Sequence, residues 1–392
     1  MASLLILGLL ELVRGALVVS LIPLFGQFEG GYSLGVVGTA IFWLYFLDNL
    51  FRIPSGWVID RYGGKWLVMT GIIVSGIGLL MLNFHWGEKS FVLGAGLCGL
   101  GIAPIWPAVI TNIVVKLPLQ RTGEALSKVF IAWLVGAGIG MVTINFLIGQ
   151  SFNLAFISLA GVLVIALGLA LFTPWPGSLT EKIVPLRMFA AGLGKELLSL
   201  KILYPGMFVQ TMCIGILTPV IAVYARSEFG FSNEQFAVFL IGAGALTVLL
   251  LLPAGKLADY VGIKTPLIAG FVMAALGLVF LPLQTTIFHA IAWGSLIGIA
   301  YALILPAWNG LMARAVSADK MGTMWAAFMT IEGIGTAVGA YLGGKAWDTW
   351  GHRAPFWACA AVLMSMVIFY ASGNIDRFAF KTDYQELKEG RK

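Results

Sequence analysis

Twelve apolar stretches of membrane-spanning length follow one another along the chain, at about 4–26, 33–56, 66–84, 90–114, 123–148, 153–172, 201–225, 234–256, 264–282, 288–313, 322–345 and 354–372. A span of roughly 20 apolar residues crosses the hydrocarbon core only as a helix, because lipid offers no partner for backbone N–H and C=O groups. Barrel strands would instead alternate over about ten residues. An all-α integral membrane protein of twelve transmembrane helices follows. Composition agrees: 59% of residues are hydrophobic and 11% charged, against roughly 25% charged in a soluble domain.

The longest internal polar interval separates six spans from six. It predicts a first six-helix bundle over 1–172, a cytoplasmic linker over 173–200, a second bundle over 201–372 and a tail over 373–392. Eighteen of the 24 Lys and Arg residues fall on the side that holds the linker and tail, and four on the other. That bias predicts cytoplasmic termini. The net charge of +6 therefore encodes topology; no basic stripe with interleaved aromatics points to nucleic acid. Cys98, Cys213 and Cys359 lie in separate apolar runs with no zinc or redox spacing. Neither a metal nor a cofactor is expected. The first apolar run lacks a basic flank and contains Glu11 and Arg14, so it reads as a retained helix rather than a cleaved signal.

The two halves repeat. Gly56-Trp-Val-Ile-Asp60-Arg61-Tyr-Gly63 recurs as Gly255-Lys-Leu-Ala-Asp259-Tyr-Val-Gly262, at an offset of 199. Gly136 and Gly140 recur at the same offset as Gly335 and Gly339, and Pro104-Ile-Trp106 is matched with Pro306-Ala-Trp308 at 202. Duplicated six-helix units are a common transporter plan. The segment Gly56, Asp60, Arg61, Gly63, Gly64, Lys65, with Asp259 in its weaker copy, resembles the signature loop of the major facilitator superfamily. That resemblance covers the whole chain. It implies two pseudo-symmetric bundles around a central cavity, alternating access, and a gating role in which Asp60 and Arg61 contact neighbouring helix ends. On physical grounds Asp60 could cap a helix N-terminus and Arg61 could pair nearby; an ordinary solvated turn is the plainer alternative.

A narrower likeness rests on Glu11-Leu-Val-Arg14-Gly15, Asp48, Gly101-Ile-Ala-Pro104-Ile-Trp106, Ala132-Trp133-Leu-Val-Gly136, Tyr204-Pro205-Gly206 and Leu305-Pro306-Ala-Trp308-Asn309. Together these resemble the bacterial glycolipid flippases of the lipoteichoic acid pathway. The resemblance implies a plasma-membrane carrier for a diacylglycerol glycolipid, with proton-coupled antiport. Glu332 departs from it, standing where a neutral amide is expected.

Charges inside spans are the most informative residues, since each costs roughly 2.5–3.5 kcal/mol even on the mild insertion scale. Glu11 and Arg14 share a helix face, and Asp48 should lie at similar depth. They predict a cavity-facing site in which a carboxylate exchanges protons and Arg14 holds it ionised; a packing salt bridge is the plainer alternative. Trp106 and Trp133, in the fourth and fifth spans, could stack on sugar rings, although either alone would usually be packing. Asn112 and Asn145 are weaker candidates. Gln210, Trp308, Asn309 and Glu332 are the polar exceptions in a second half that is otherwise apolar, and Glu332 matches Trp133 by the repeat.

An amphiphile with a sugar head and acyl tails suits that asymmetry, with protons and the bilayer as further partners. The alternative is a proton-coupled efflux or uptake transporter for small amphiphiles, drugs or sugars. Drug exporters of the resembled superfamily usually carry a Gly-Pro pair in the fifth helix, whereas Gly136 and Gly138 are followed by Ala137 and Ile139. No nucleophile–base pair marks an enzyme. Glycine runs such as Gly136-Ala-Gly138-Ile-Gly140 lie within spans and serve close helix packing. Nothing suggests oligomerisation, so a monomer is expected.

Overall fold

A computed structural model describes residues 2–84, 86–114, 122–177, 203–315 and 321–372. Residues 178–200 of the expected linker and the tail over 373–392 lie outside the described residues. Twelve helices follow in order: α1 Ala2–Glu29, α2 Leu34–Tyr62, α3 Lys65–Asn83, α4 Glu88–Ile113, α5 Thr122–Gln150, α6 Phe152–Phe172, α7 Tyr204–Ser227, α8 Asn233–Val261, α9 Lys264–Leu283, α10 Ile287–Ala315, α11 Met321–Trp350 and α12 Ala354–Ser372. Eleven of them are long and apolar enough to cross a membrane. The remaining helix, α11, carries Glu332, Lys345 and Asp348.

Local chemistry sets the irregularities. In α1, Pro23 cannot donate an i→i−4 hydrogen bond, and π-helical turns at Leu17–Leu21 and Phe25–Glu29 flank it. Pro104 breaks α4 into Glu88–Ile102 and Ile105–Val114. α7 breaks similarly between Leu217 and Ile221, around Pro219. The expected gating loop is mostly helix: α2 continues through Gly56, Asp60 and Arg61 to Tyr62, and only Gly63, at φ +82°, turns the chain. A left-handed residue without a Cβ is what ends a helix abruptly there. α3 begins at Lys65 with Gly64 in the N-cap position. Arg61 lies over the rings of Trp57 and Tyr62, at 5.5 and 5.1 Å.

The helices pair in the same pattern in both halves. α1 packs on α5 and α7 on α11; α2 on α4 and α8 on α10; α3 on α4 and α9 on α10. Glycines let these backbones touch. A Cβ on Gly99 would run into the Leu44 carbonyl, and one on Gly298 into the Ala243 carbonyl; Gly101 meets Gly71 as Gly270 meets Ala300. Each of these pairs repeats at 199. Gly56 faces Pro107 at 3.7 Å and Gly255 faces Pro306 at 3.7 Å, again at 199. Pro306 is therefore the counterpart of Pro107, not of Pro104. The two tryptophans matched by sequence, Trp106 and Trp308, are one helical turn apart in the repeat. A shared Pro-x-Trp spelling produced the wrong register.

The same packing makes a paired prediction about one glycine run. A Cβ on Gly136 would strike the Gly8 carbonyl, whereas one on Gly138 meets nothing within 4 Å. Gly136→Ala should lower stability by about 1–3 kcal/mol through overpacking. Gly138→Ala should be neutral or gain up to about 1 kcal/mol from helix propensity. Thermal unfolding of the two purified variants separates them; equal behaviour would mean that α1 and α5 do not meet this closely.

The halves join near one end of the bundle, here called the α1–α2 face; the opposite end, where the linker attaches, is the linker face. Gly38 abuts Ala340, Gly344 abuts Leu34, and Gly149 of α5 abuts Glu234 of α8. The Asp348 carboxylate accepts a 2.8 Å hydrogen bond from the Gly35 N–H in the first turn of α2, a favourable place for negative charge. Arg226 of α7 stacks on Phe28 of α1 at 4.4 Å. Among the described glycines, the contact between halves nearest the linker face is that of Gly333 with the Asn49 side chain.

Candidate functional site

Three charges expected to converge do so, and a fourth joins them. On α1, Arg14 Nε donates to Glu11 Oε2 at 2.8 Å, a contact that i,i+3 spacing makes possible. On α2, Arg52 Nη2 donates to both oxygens of Asp48, at 3.0 and 2.8 Å, across an i,i+4 spacing. The two pairs are joined by Arg14 Nη1, 3.5 Å from Asp48 Oδ2. The break at Pro104 tilts the inner segment of α4, and Trp106 Nε1 donates to Glu11 Oε1 at 2.6 Å. Arg52 also sits over the Trp106 ring, 5.9 Å from its centroid. The result is a continuous chain: Arg52, Asp48, Arg14, Glu11, Trp106.

Its burial is graded. Glu11 and Asp48 are fully buried, while the Arg14 and Arg52 side chains retain 15% and 11% exposure. Two guanidinium groups balance two carboxylates, so the cluster is formally neutral and no buried charge stands alone. That balance matters because an isolated buried ion costs several kcal/mol. One donor remains unused, Arg52 Nε, and one nearby acceptor, Asn49 Oδ1; Asn49 Nδ2 is committed to the Tyr45 carbonyl at 2.8 Å.

Trp133 completes the wall. Its ring packs edge-on to Trp106 with centroids 6.2 Å apart, and Phe130 contacts both. Asn112 is buried on α4 with neither side-chain atom paired. Asn145 is turned back on its own helix, donating to the Met141 carbonyl at 2.6 Å. The structure gives Asn145 no bond to the cluster.

The second half differs. α7 lies one residue further along in the repeat: Gly140 abuts Leu12 whereas Gly339 abuts Met212. Glu11 and Arg14 therefore correspond to Thr211 and Ile214, and no charged pair recurs. Gln210 Nε2 lies 3.5 Å from Glu332 Oε1. The Trp308 indole faces that carboxyl without closing a hydrogen bond, packed instead against Gly206 and Tyr370. Asn309 is half-buried beside it.

Arg52 and Asn49 are the site residues that sequence reading missed. The signal existed: Arg52 stands four residues after Asp48, the spacing of a helical ion pair.

The chain has clear likenesses. The family model described as Major Facilitator Superfamily matches residues 4–198 and 203–381. The chain is 25% identical over 373 residues to the proton-coupled antiporter flippase LtaA of Staphylococcus saprophyticus, covering 94% of this chain and 92% of that one. To the LtaA of Staphylococcus aureus it is 26% identical over 379 residues, covering 94% and 93%. In fold it is similar to crystal structures of the nucleoside transporter NupG (TM-score 0.73, 15% identity, 97% and 98% covered) and of a D-xylose–proton symporter (TM-score 0.71, 15% identity, 94% and 96% covered).

Proposed function

Because the chain belongs to the major facilitator superfamily, and is thus a multi-pass membrane transporter rather than an enzyme, we propose that it flips a glycolipid by alternating access, coupled to protons. The observation that carries this reading is the unequal chemistry of its two halves. One, the first half, holds a charge-balanced cluster beside two tryptophans, suited to sugar hydroxyls. The other is largely hydrocarbon and suits acyl tails. The relatives named as proton-coupled antiporter flippases support the same reading.

The distribution of Lys and Arg favours a cytoplasmic linker face in a bacterial plasma membrane. The described arrangement is then closed toward the outside, with the head-group site approached from the cytoplasm. Glu11 or Asp48 accepts and releases the proton, while Arg14 and Arg52 keep the unprotonated carboxylate tolerable at this depth. Trp106 and Trp133 flank the sugar. A monomer suffices, since each part of the site comes from one chain.

Reconstitution into liposomes tests the proposal. Fluorescent diglucosyl-diacylglycerol should change leaflet faster when a proton gradient is imposed. The Glu11→Gln, Asp48→Asn double variant should lose that acceleration. Full gradient-driven flipping by the double variant would refute proton coupling at these carboxylates. Passage of a soluble amphiphile in place of the glycolipid would favour the small-molecule transporter reading.

A further inference from the structure

The charge at the site is balanced on one wall and not on the other. In the first half, each Asp48 oxygen accepts from Arg52, and the two Glu11 oxygens are shared between Trp106 and Arg14. Neither guanidinium has an uncompensated positive charge to offer a ligand. In the second half, Glu332 is mostly buried but not sealed off, and its described polar contact is the long one from the neutral Gln210 amide. Among the described residues no Lys, Arg or His pairs with it. Its neighbour Gly333 touches the Asn49 side chain, next to Asp48. Glu332 therefore stands near the level of the cluster, across the seam between the halves. A head group admitted where the halves part at this level would meet the cluster on one side and this carboxylate on the other.

We infer that Glu332 is a specificity residue that filters head groups by charge, admitting neutral or cationic ones and rejecting anionic phosphate heads. This rests on the glycolipid reading above. The physical reason is asymmetric discrimination. A carboxylate accepts hydrogen bonds from hydroxyl or ammonium groups, but a phosphate diester has no proton to donate and brings like charge into a site of low dielectric. Both arginines are paired with carboxylates and the spare Arg52 Nε–H is buried, so neither brings net positive charge to that phosphate in the described arrangement. Rejecting the wrong head by repulsion is how a site with few specific contacts gains selectivity. The cell membrane that supplies a glycolipid also supplies anionic phospholipids with the same tails, so tail contacts alone cannot separate them.

The test compares two lipids with identical acyl chains, diglucosyl-diacylglycerol and phosphatidylglycerol, by native mass spectrometry of one-to-one complexes with the purified full chain. The wild type should favour the diglucosyl lipid by on the order of tenfold or more. Glu332→Gln should shrink that preference to within about threefold, and Glu332→Asp should retain it. A role confined to packing would not follow charge in this way. Equal retention of both lipids by the wild type, or an undiminished preference in Glu332→Gln, overturns the filter while leaving the flippase reading intact. Failure of the wild type to hold the diglucosyl lipid at all overturns both.

Discussion

Replacing Arg14 by alanine is expected to cost about 3–5 kcal/mol of stability and to abolish transport. The Glu11 carboxylate would lose its only described cationic partner and keep a single hydrogen bond, from the Trp106 indole. Asp48 would keep Arg52, so the damage falls mainly on α1. The size of the effect comes from stranding a buried charge, not from the pair's net worth, and a second variant separates the two. Arg14→Met with Glu11→Gln replaces the pair by neutral groups of similar shape, so stability should return close to wild type. Transport should not return, because one of the two proposed proton-carrying carboxylates and its counter-ion are both gone. Thermal unfolding beside a flipping assay reads both quantities. If Arg14→Ala were as unstable as the double variant, or no less stable than wild type, the cluster would not be the compensated ion network described.

Gly344→Leu is the second large effect, and it acts on the conformational cycle. The α2–α11 seam closes because Gly344 lets the Leu34 carbonyl approach where a side chain would stand, as Gly38 does for Ala340. Closure also brings Asp348 onto the first turn of α2. A leucine at 344 penalises only the arrangement in which the α1–α2 face is shut. Overpacking of about 1–3 kcal/mol or more shifts such an equilibrium by about 5- to 150-fold. Flipping should fall to background.

The shift can be read directly with Ala340→Cys, a position fully buried in the closed seam. A membrane-impermeant maleimide applied to the α1–α2 face should label it in the Gly344→Leu background and spare it otherwise. The native Cys98, Cys213 and Cys359 are buried and should stay silent. Equal protection of the introduced thiol in both backgrounds would show that this seam does not gate access.

Sequence and structure diverge at identifiable residues. Glu11, Arg14 and Asp48 were legible as one group because lipid penalises a lone charge so heavily that intramembrane ions must find one another. Arg52 also lies within the second expected span, but its i,i+4 spacing from Asp48 was not used to pair the two. The continuation of α2 to Tyr62 puts Arg52 well inside the helix and within reach of Asp48. The Gly56–Tyr62 segment read as a loop from its polar letters, yet a helix that projects past the hydrocarbon carries polar residues without unwinding. The match of Trp106 with Trp308 failed for a different reason: three shared letters outweighed a register that only glycine contacts could reveal.

The sequence by itself determined the succession of twelve helices, the duplication at 199, and the confinement of mid-span charges to the first half, with Glu332 as the exception. These follow from the cost of polar groups in lipid, a constraint that acts residue by residue along the chain. Only the tertiary structure decided which donors face which acceptors and which glycines bring the halves together. Those depend on helix register and crossing, set by contacts between segments hundreds of residues apart, and no local pattern encodes them.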